Sequence, residues 1–368
     1  MLHYRNTIQK IYIELTEHCN LNCPSCFRVN WAKEPSHMSN DIFNKTLDSV
    51  AKANTVVIGG IGEPTAHPKF NQYSELLAQR GFVDRRSHTP LTIQVPGAEK
   101  SLELTSNAYF WPKDTLDTIV SLYKKVTVSV DGLPEFFKRA RGFDFEIMAE
   151  NIRSLAAKKK ETRSKYPVIH AQLVLSDGNM HDVKELIPIL KELGFQRLVI
   201  SNLLPQCEGD KDNIVYTPYL TKELRDFVNS WYPIASGCQL PIKIPQTKLN
   251  FEHRCVFIED GALIITANGD VAPCYRFAHD GVEYVFGRKK TVRAFYFGNV
   301  LEASLQDIWD RKDYEIFRFQ NYASRYPSCV DCDYVEFCDY INSTEADCRA
   351  NEPSCADCLW CRGLIECP

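Results

Sequence analysis

Between residues 11 and 202, short apolar runs of β type alternate with stretches of helical length in which apolar residues recur every three or four positions. The runs are IYIEL (11–15), TVVI (55–58), LELT (102–105), VTVSV (126–130), VIHAQLVL (168–175) and RLVIS (197–201). Amphipathic stretches such as FEIMAENIRSLAAKKK and DVKELIPILKELGF lie between them. In the second of these, Val183, Leu186, Ile187, Leu190 and Leu193 share one face, and Gly194 is placed to end the helix. Six β-α units in series predict a parallel sheet. With no sequence left for two more, the expected α/β architecture is an open, partial (β/α)6 barrel with ligands at the C-terminal ends of its strands.

Two places depart from this rhythm. Residues 84–100 interrupt the second unit, where LTIQV before Pro96 and Gly97 reads as an added strand or hairpin, either a surface decoration or a contact to substrate. After about residue 245 the texture changes. Ten of the 15 cysteines lie from Cys255 onward, in a stretch that ends poor in helical periodicity and is expected to be held by its ligands more than by a core. The chain therefore divides into a core domain, 1–240, and a cysteine-rich domain, 241–368. The basic run 158–160 reads as the solvated end of a helix.

Charge and composition exclude several partners. With 43 basic and 47 acidic side chains the net charge is −4, so no broad basic field exists for nucleic acid. Hydrophobic residues at 44% fit a packed protein, not a disordered one. No apolar run is long enough for a membrane-spanning helix, and the first residues lack a secretory signal, so a cytoplasmic location without membrane attachment is expected. In a reducing compartment, cysteines at short fixed spacings point to metal or catalysis before disulfides.

Cys19, Cys23 and Cys26 form C-x3-C-x2-C directly after the first strand, in LTEHCNLNCPSCFR. Three thiolates on one loop suit three irons of a [4Fe–4S] cube and leave the fourth iron open to a small molecule. Zinc is the alternative, with His18 or His37 as a fourth ligand. The triplet resembles the signature of the radical S-adenosylmethionine (SAM) superfamily. The resemblance implies that the open iron chelates SAM, that one electron cleaves its sulfonium, and that the resulting 5′-deoxyadenosyl radical abstracts a substrate hydrogen. It also implies a low-potential electron donor of ferredoxin or flavodoxin type. One departure is visible: the family often has an aromatic residue just before the third cysteine, where this chain has Ser25, with Phe27 following.

Further candidates fall at successive strand ends. In GGIGEPTAHP, Gly60 and Gly62 allow close backbone approach and Glu63 is placed to accept from the methionine ammonium. Asn107 ends the third strand. Ser129 and Asp131, in SVDG, suit ribose hydroxyls. Arg141 follows Ser129 by twelve residues, a spacing that in related enzymes brings a serine and an arginine to SAM. Each alone also has a structural reading; it is their joint order that points to a SAM pocket.

In the tail, Cys255 and Cys274 flank Gly269 in CVFIEDGALIITANGDVAPC, and Cys329, Cys332 and Cys338 give C-x2-C-x5-C. Cys348, Cys355, Cys358, Cys361 and Cys367 complete the set. This region resembles the SPASM domain, an auxiliary-cluster extension of radical SAM enzymes that modify peptides and proteins, except that the family's next cysteine comes three residues after the one matching Cys338, whereas Cys348 comes ten later. The resemblance implies two auxiliary [4Fe–4S] clusters. In family order, Cys255 and Cys274 would serve the first, closed by Cys348. Cys329, Cys332 and Cys338 would serve the second, completed from the C-terminal group, with two cysteines left over. Structural zinc knots are the competing reading of the C-x2-C pairs. Cys207 and Cys238 read as buried thiols. Sulfatase-maturating relatives carry an acidic residue directly after the cysteine matching Cys274; here it is Tyr275, a poor base at neutral pH, so formylglycine formation is disfavoured.

The closing C-x2-C-L-W and terminal C-P resemble radical SAM maturases encoded beside tungsten-dependent aldehyde:ferredoxin-type oxidoreductases. That subgroup implies maturation of the partner oxidoreductase or its tungsten–pterin cofactor. A peptide-crosslinking enzyme and a non-catalytic iron–sulfur or zinc protein are the alternatives. The crosslinking enzymes often carry an N-terminal winged-helix module, and this chain reaches its cluster cysteines by residue 19, which favours the first reading.

Overall fold

A computed structural model describes residues 7–31, 33–82, 100–219, 221–250 and 252–366; the interruption at 84–99 and Cys367 lie outside the described residues. Six strands form where the apolar runs predict them, with ends agreeing to within two residues. They are β1 (Lys10–Ile13), β2 (Thr55–Ile58), β3 (Ser101–Ser106), β4 (Lys125–Ser129), β5 (Val168–Leu175) and β6 (Arg197–Asn202). Each is parallel to its predecessor. The crossovers are helical: α1 (Asn40–Ser49), α2 (Phe70–Leu77), α3 (Lys113–Leu122), α4 (Pro134–Arg141) with α5 (Phe145–Glu161), and α6 (Val183–Leu193).

Local chemistry accounts for these elements. The β-branched residues of β2 bury three of its four positions, as a strand covered on both faces requires. Ser39 caps α1 by accepting from the Ile42 amide, and Pro134 opens α4, where a missing N–H costs nothing. All five apolar residues assigned to one face of α6 are buried, and Gly194 ends the helix in the left-handed conformation at φ 99°. Lys158, Lys159 and Lys160 occupy the last turn of α5, where their charge suits the helix dipole, and Lys158 pairs with Asp117 at 2.7 Å.

The sheet continues past residue 240. β7 (Ile242–Lys243) adds in parallel to β6, β8 (Ala262–Ile265) in parallel to β1, and β9 (Val271–Ala272) antiparallel to β8. The nine strands run in the linear order β7-β6-β5-β4-β3-β2-β1-β8-β9, so the sheet is open. Ile13 pairs with Ile265, which fixes the cysteine-rich half against the strand that carries the first cysteine loop. A hairpin, β10 (Gly281–Val285) and β11 (Arg288–Val292), and two short helices follow; from Cys329 on, regular structure shrinks to brief 3-10 turns. The tail is less coreless than its sequence suggests, because Leu359, Leu364 and Ile365 are buried in a small cluster with Tyr216, Leu249 and Val285. Among the described residues, no helix is long and apolar enough to cross a membrane.

Candidate functional site

A cavity of ≈ 650 Å³ opens off the C-terminal ends of β1 to β6, within the size range of small-molecule sites. All ten candidates from the first half of the chain line it: Cys19, Cys23, Cys26, Gly60, Gly62, Glu63, Asn107, Ser129, Asp131 and Arg141. Parallel strands bring this about, because every strand then delivers its following loop to the same rim. The three thiols are half-buried on one loop after β1.

The two glycines do serve close approach, but toward the cysteine loop itself. A Cβ on Gly62 would lie 2.3 Å from the Thr16 carbonyl oxygen and 2.5 Å from that of His18, and one on Gly60 would meet the Glu14 side chain at 2.6 Å. The Glu63 amide donates to the His18 carbonyl at 2.8 Å. The second loop is thus seated on the first.

Glu63 is the hub of the far wall. Its Oε1 accepts from the Thr65 amide, the Thr65 hydroxyl and the Ser106 hydroxyl, and its Oε2 from the Asn107 amide at 2.7 Å. Burial pushes the carboxyl pKa up, opposed by these donors. Oε2, with one donor, keeps room for another. Asn107 in turn donates to Asn20 at 2.8 Å and to Cys19 Sγ at 3.7 Å, tying the third strand end to the cysteine loop. Asp131 pairs with Arg141 Nε at 2.5 Å and accepts from the Val174 amide, so it enters the cavity already oriented. Burial raises the pKa of Cys19 and Cys23; Arg141 opposes the rise at Cys23. Loss of those protons would accompany metal binding.

Sequence reasoning stopped at β4. The loops after β5 and β6 also line the cavity with Ser176, Asp177, Gln206, Asp210 and Asn213; the strand-end rule that found the others reaches these as well. His18 and His37 stack on each other at 4.2 Å, and His37 Nδ1 shares a hydrogen bond with the Thr16 hydroxyl. Phe27 also lines the cavity, next to Cys26. Cys207 and Cys238 are half-buried rather than buried, and the Cys207 thiol donates to the Pro24 carbonyl at 3.7 Å. Tyr275 is packed edge-on against Tyr12 and Phe257.

The tail thiols fall into two groups that differ from the family-order expectation. Cys255, Cys274, Cys355, Cys358 and Cys361 come together: Cys361 hydrogen-bonds the side chains of Cys255 and Cys358, and Cys274 feels the charge of Cys255 and Cys358. Cys348 and Cys338 are instead both neighbours of Cys329, with Cys332 in the same turn as Cys329. The C-terminal thiols thus lie with Cys255 and Cys274, and Cys348 lies on the side of Cys329. This grouping follows from chain path, since residues 355–365 return to the main core while most of 332–348 stays at the surface. Burial drives the Cys274 and Cys355 thiols well up, whereas the hydrogen bond from Cys361 brings Cys358 down to about 7. Arg276, ion-paired with buried Glu283, lies beside Cys355 and Cys358.

Comparison with known proteins fits this geometry. Residues 13–205 match the radical SAM superfamily, and residues 255–333 match the SPASM iron–sulfur cluster-binding domain. A Pyrococcus furiosus protein described as a tungsten-containing aldehyde ferredoxin oxidoreductase cofactor-modifying protein is 35% identical over 361 residues, covering 97% of this chain and 96% of the relative. Two solved structures share the fold at low identity. Streptococcus suis SuiB bound to its precursor peptide SuiA has a TM-score of 0.62 at 16% identity, over 96% of this chain and 76% of that one. The enzyme anSMEcpe with bound AdoMet also has a TM-score of 0.62 at 16% identity, over 97% of this chain and 91% of that one. The three-thiol loop, the cavity it faces and the full-length match together make this chain a radical SAM enzyme of the superfamily's SPASM-bearing branch.

Proposed function

We propose that this enzyme cleaves SAM in the ≈ 650 Å³ cavity and uses the resulting radical chemistry to mature the cofactor of a tungsten-dependent aldehyde:ferredoxin-type oxidoreductase. The observation that carries the first half is the convergence of Cys19, Cys23 and Cys26 with the five following strand ends on one cavity. The full-length similarity to a cofactor-modifying protein carries the second. Cys19, Cys23 and Cys26 would hold a [4Fe–4S] cluster, which when bound would supply the one electron needed for reductive cleavage of the SAM sulfonium. The chain's own residues do the positioning. Glu63 Oε2 offers its spare acceptor site to the methionine ammonium, Ser129 and Asp131 face the ribose, and Arg141 holds Asp131 in place. The polar residues after β5 and β6 are left for the substrate.

Two auxiliary [4Fe–4S] clusters complete the reading. One draws four ligands from Cys255, Cys274, Cys355, Cys358 and Cys361; the other takes Cys329, Cys332, Cys338 and Cys348. The deciding experiment for the substrate is mass spectrometry of the tungsten oxidoreductase and its extracted cofactor, produced with and without this enzyme. A mass change that needs the enzyme and SAM supports the reading; identical cofactor and protein masses in both preparations overturn it.

A further inference from the structure

A buried polar node lies between the tail and the loops that shape the cavity. Glu14, Glu17 and His279 are at most 7% exposed, and their ligating atoms lie within 4.8 Å of one another. His279 Nε2 is 3.0 Å from Glu14 Oε2, and its Nδ1 is 3.7 Å from Glu17 Oε1. With the Glu14 oxygen as acceptor, this hydrogen bond places the hydrogen on Nε2. Three buried ligand atoms could hold a cation, but protein donors already serve this cluster. Lys33 Nζ is 2.5 Å from Glu17 Oε1, and the Ser36 amide and hydroxyl donate to Glu17 Oε2, each at 3.0 Å. The Ile61 amide donates to Glu14 Oε2 at 2.8 Å and the Ala267 amide to Oε1 at 3.4 Å.

These partners belong to different parts of the site. Glu14 follows β1 and braces the glycine loop through Ile61, with Gly60 seated against its side chain. Glu17 precedes Cys19 and ties the start of the cysteine loop to Ser36 and Lys33 beyond its end. Trp31, from the same loop, packs on His279 at 4.9 Å, and Lys33 Nζ lies over the Trp31 ring, 4.5 Å from its centroid. His279 itself comes from the tail, five residues after Cys274. Desolvated charge–hydrogen-bond networks of this kind hold a single geometry, because every loosened contact strands a buried group.

We propose that His279 is a positioning residue through which the auxiliary-cluster half of the chain sets the relative placement of the cysteine loop and the glycine loop, and so the shape of the SAM cavity. This rests on the reading that SAM binds there. His279 holds Glu14, Glu14 holds the Ile61 amide, and removing the imidazole frees the glycine loop without touching any thiol. His279→Gln keeps a donor near the Nε2 position, whereas His279→Leu keeps bulk and loses the donor.

The test uses the reconstituted full-length enzyme. Hydrogen exchange at residues 59–63 and SAM affinity by calorimetry are measured for wild type and both variants, with iron content as a control. In the Leu variant, exchange of the Ile61 amide rises and SAM binds roughly tenfold more weakly, iron content is unchanged, and the Gln variant recovers most of both. Unchanged exchange and affinity in the Leu variant overturn the inference, as does equal loss in both variants. Wild-type enzyme that fails to bind SAM overturns the reading of the cavity instead, and the exchange result then shows separately whether the clamp exists.

Discussion

The two ends of this enzyme hold their thiols in opposite ways. Cys19, Cys23 and Cys26 are half-exposed on one loop, facing a cavity whose walls come from strands that pair over their whole length. In the tail, Cys355, Cys358 and Cys361 are buried and crowded with Cys255 and Cys274, and the surrounding backbone after Cys329 is mostly short turns. The front site is shaped by a fold that backbone hydrogen bonds and apolar packing supply without metal. In the tail, buried thiols repel as soon as they ionise, so a bound metal that neutralised them would add to the cohesion of the small apolar cluster around Leu359 and Leu364. An open site with room beside it suits exchange of a small molecule, and the tail group of five thiols, one more than a cube requires, suits a cluster that stays put.

Metal removal is the harshest way to break this contrast. Chelating iron from the anaerobic holoenzyme should abolish amide protection across residues 329–366 while leaving β1 to β6 protected, read by hydrogen exchange. Equal loss in both halves would remove the distinction. Next in size is the ion pair beneath the first tail group. Arg276→Met leaves Glu283 buried without its cation and should cost about 3–5 kcal/mol of stability in denaturant titration. The double change Arg276→Met with Glu283→Leu should recover much of that. On the front side, Glu63→Gln exchanges one acceptor oxygen for a donor amide facing Ser106, Thr65 or Asn107. SAM affinity by calorimetry should fall roughly tenfold, with tail iron unaffected. The smallest effect is expected at the two thiols outside both regions. Cys207→Ser and Cys238→Ser should each leave iron and sulfide counts at the wild-type value and shift stability by no more than about 0.5 kcal/mol; a loss of iron in either would add that thiol to a cluster.

The contrast also marks what the sequence made legible. The apolar runs locate six strands because a strand buried on both faces must be apolar along its length, and parallel order then places Gly60, Asn107 and Asp131 on one rim. What escaped were contacts with no local signature. β7 and β9 are two residues each, too short for any periodicity, yet with β8 they join the tail to the sheet. Which tail thiols become neighbours, Cys348 with Cys329 and Cys361 with Cys255, depends on where the chain turns back, which spacing does not encode. Glu63 carries a ligand-binding pattern in sequence, but its bonds to Thr65, Ser106 and Asn107 make it a structural hub as well. The Glu14–His279 contact joins residues 265 positions apart and leaves no trace in either segment alone.

The central claim is that the front thiols alone run the SAM chemistry while the tail groups hold their clusters independently. The most direct test replaces Cys19, Cys23 and Cys26 together with alanine, reconstitutes the protein anaerobically, and measures iron, sulfide and 5′-deoxyadenosine after reduction with SAM. Wild type should carry about twelve irons per chain, as three cubes require, and release 5′-deoxyadenosine. The triple variant should keep about eight irons and release none. Continued 5′-deoxyadenosine formation in that variant, or loss of the tail iron along with the front cluster, would contradict the account.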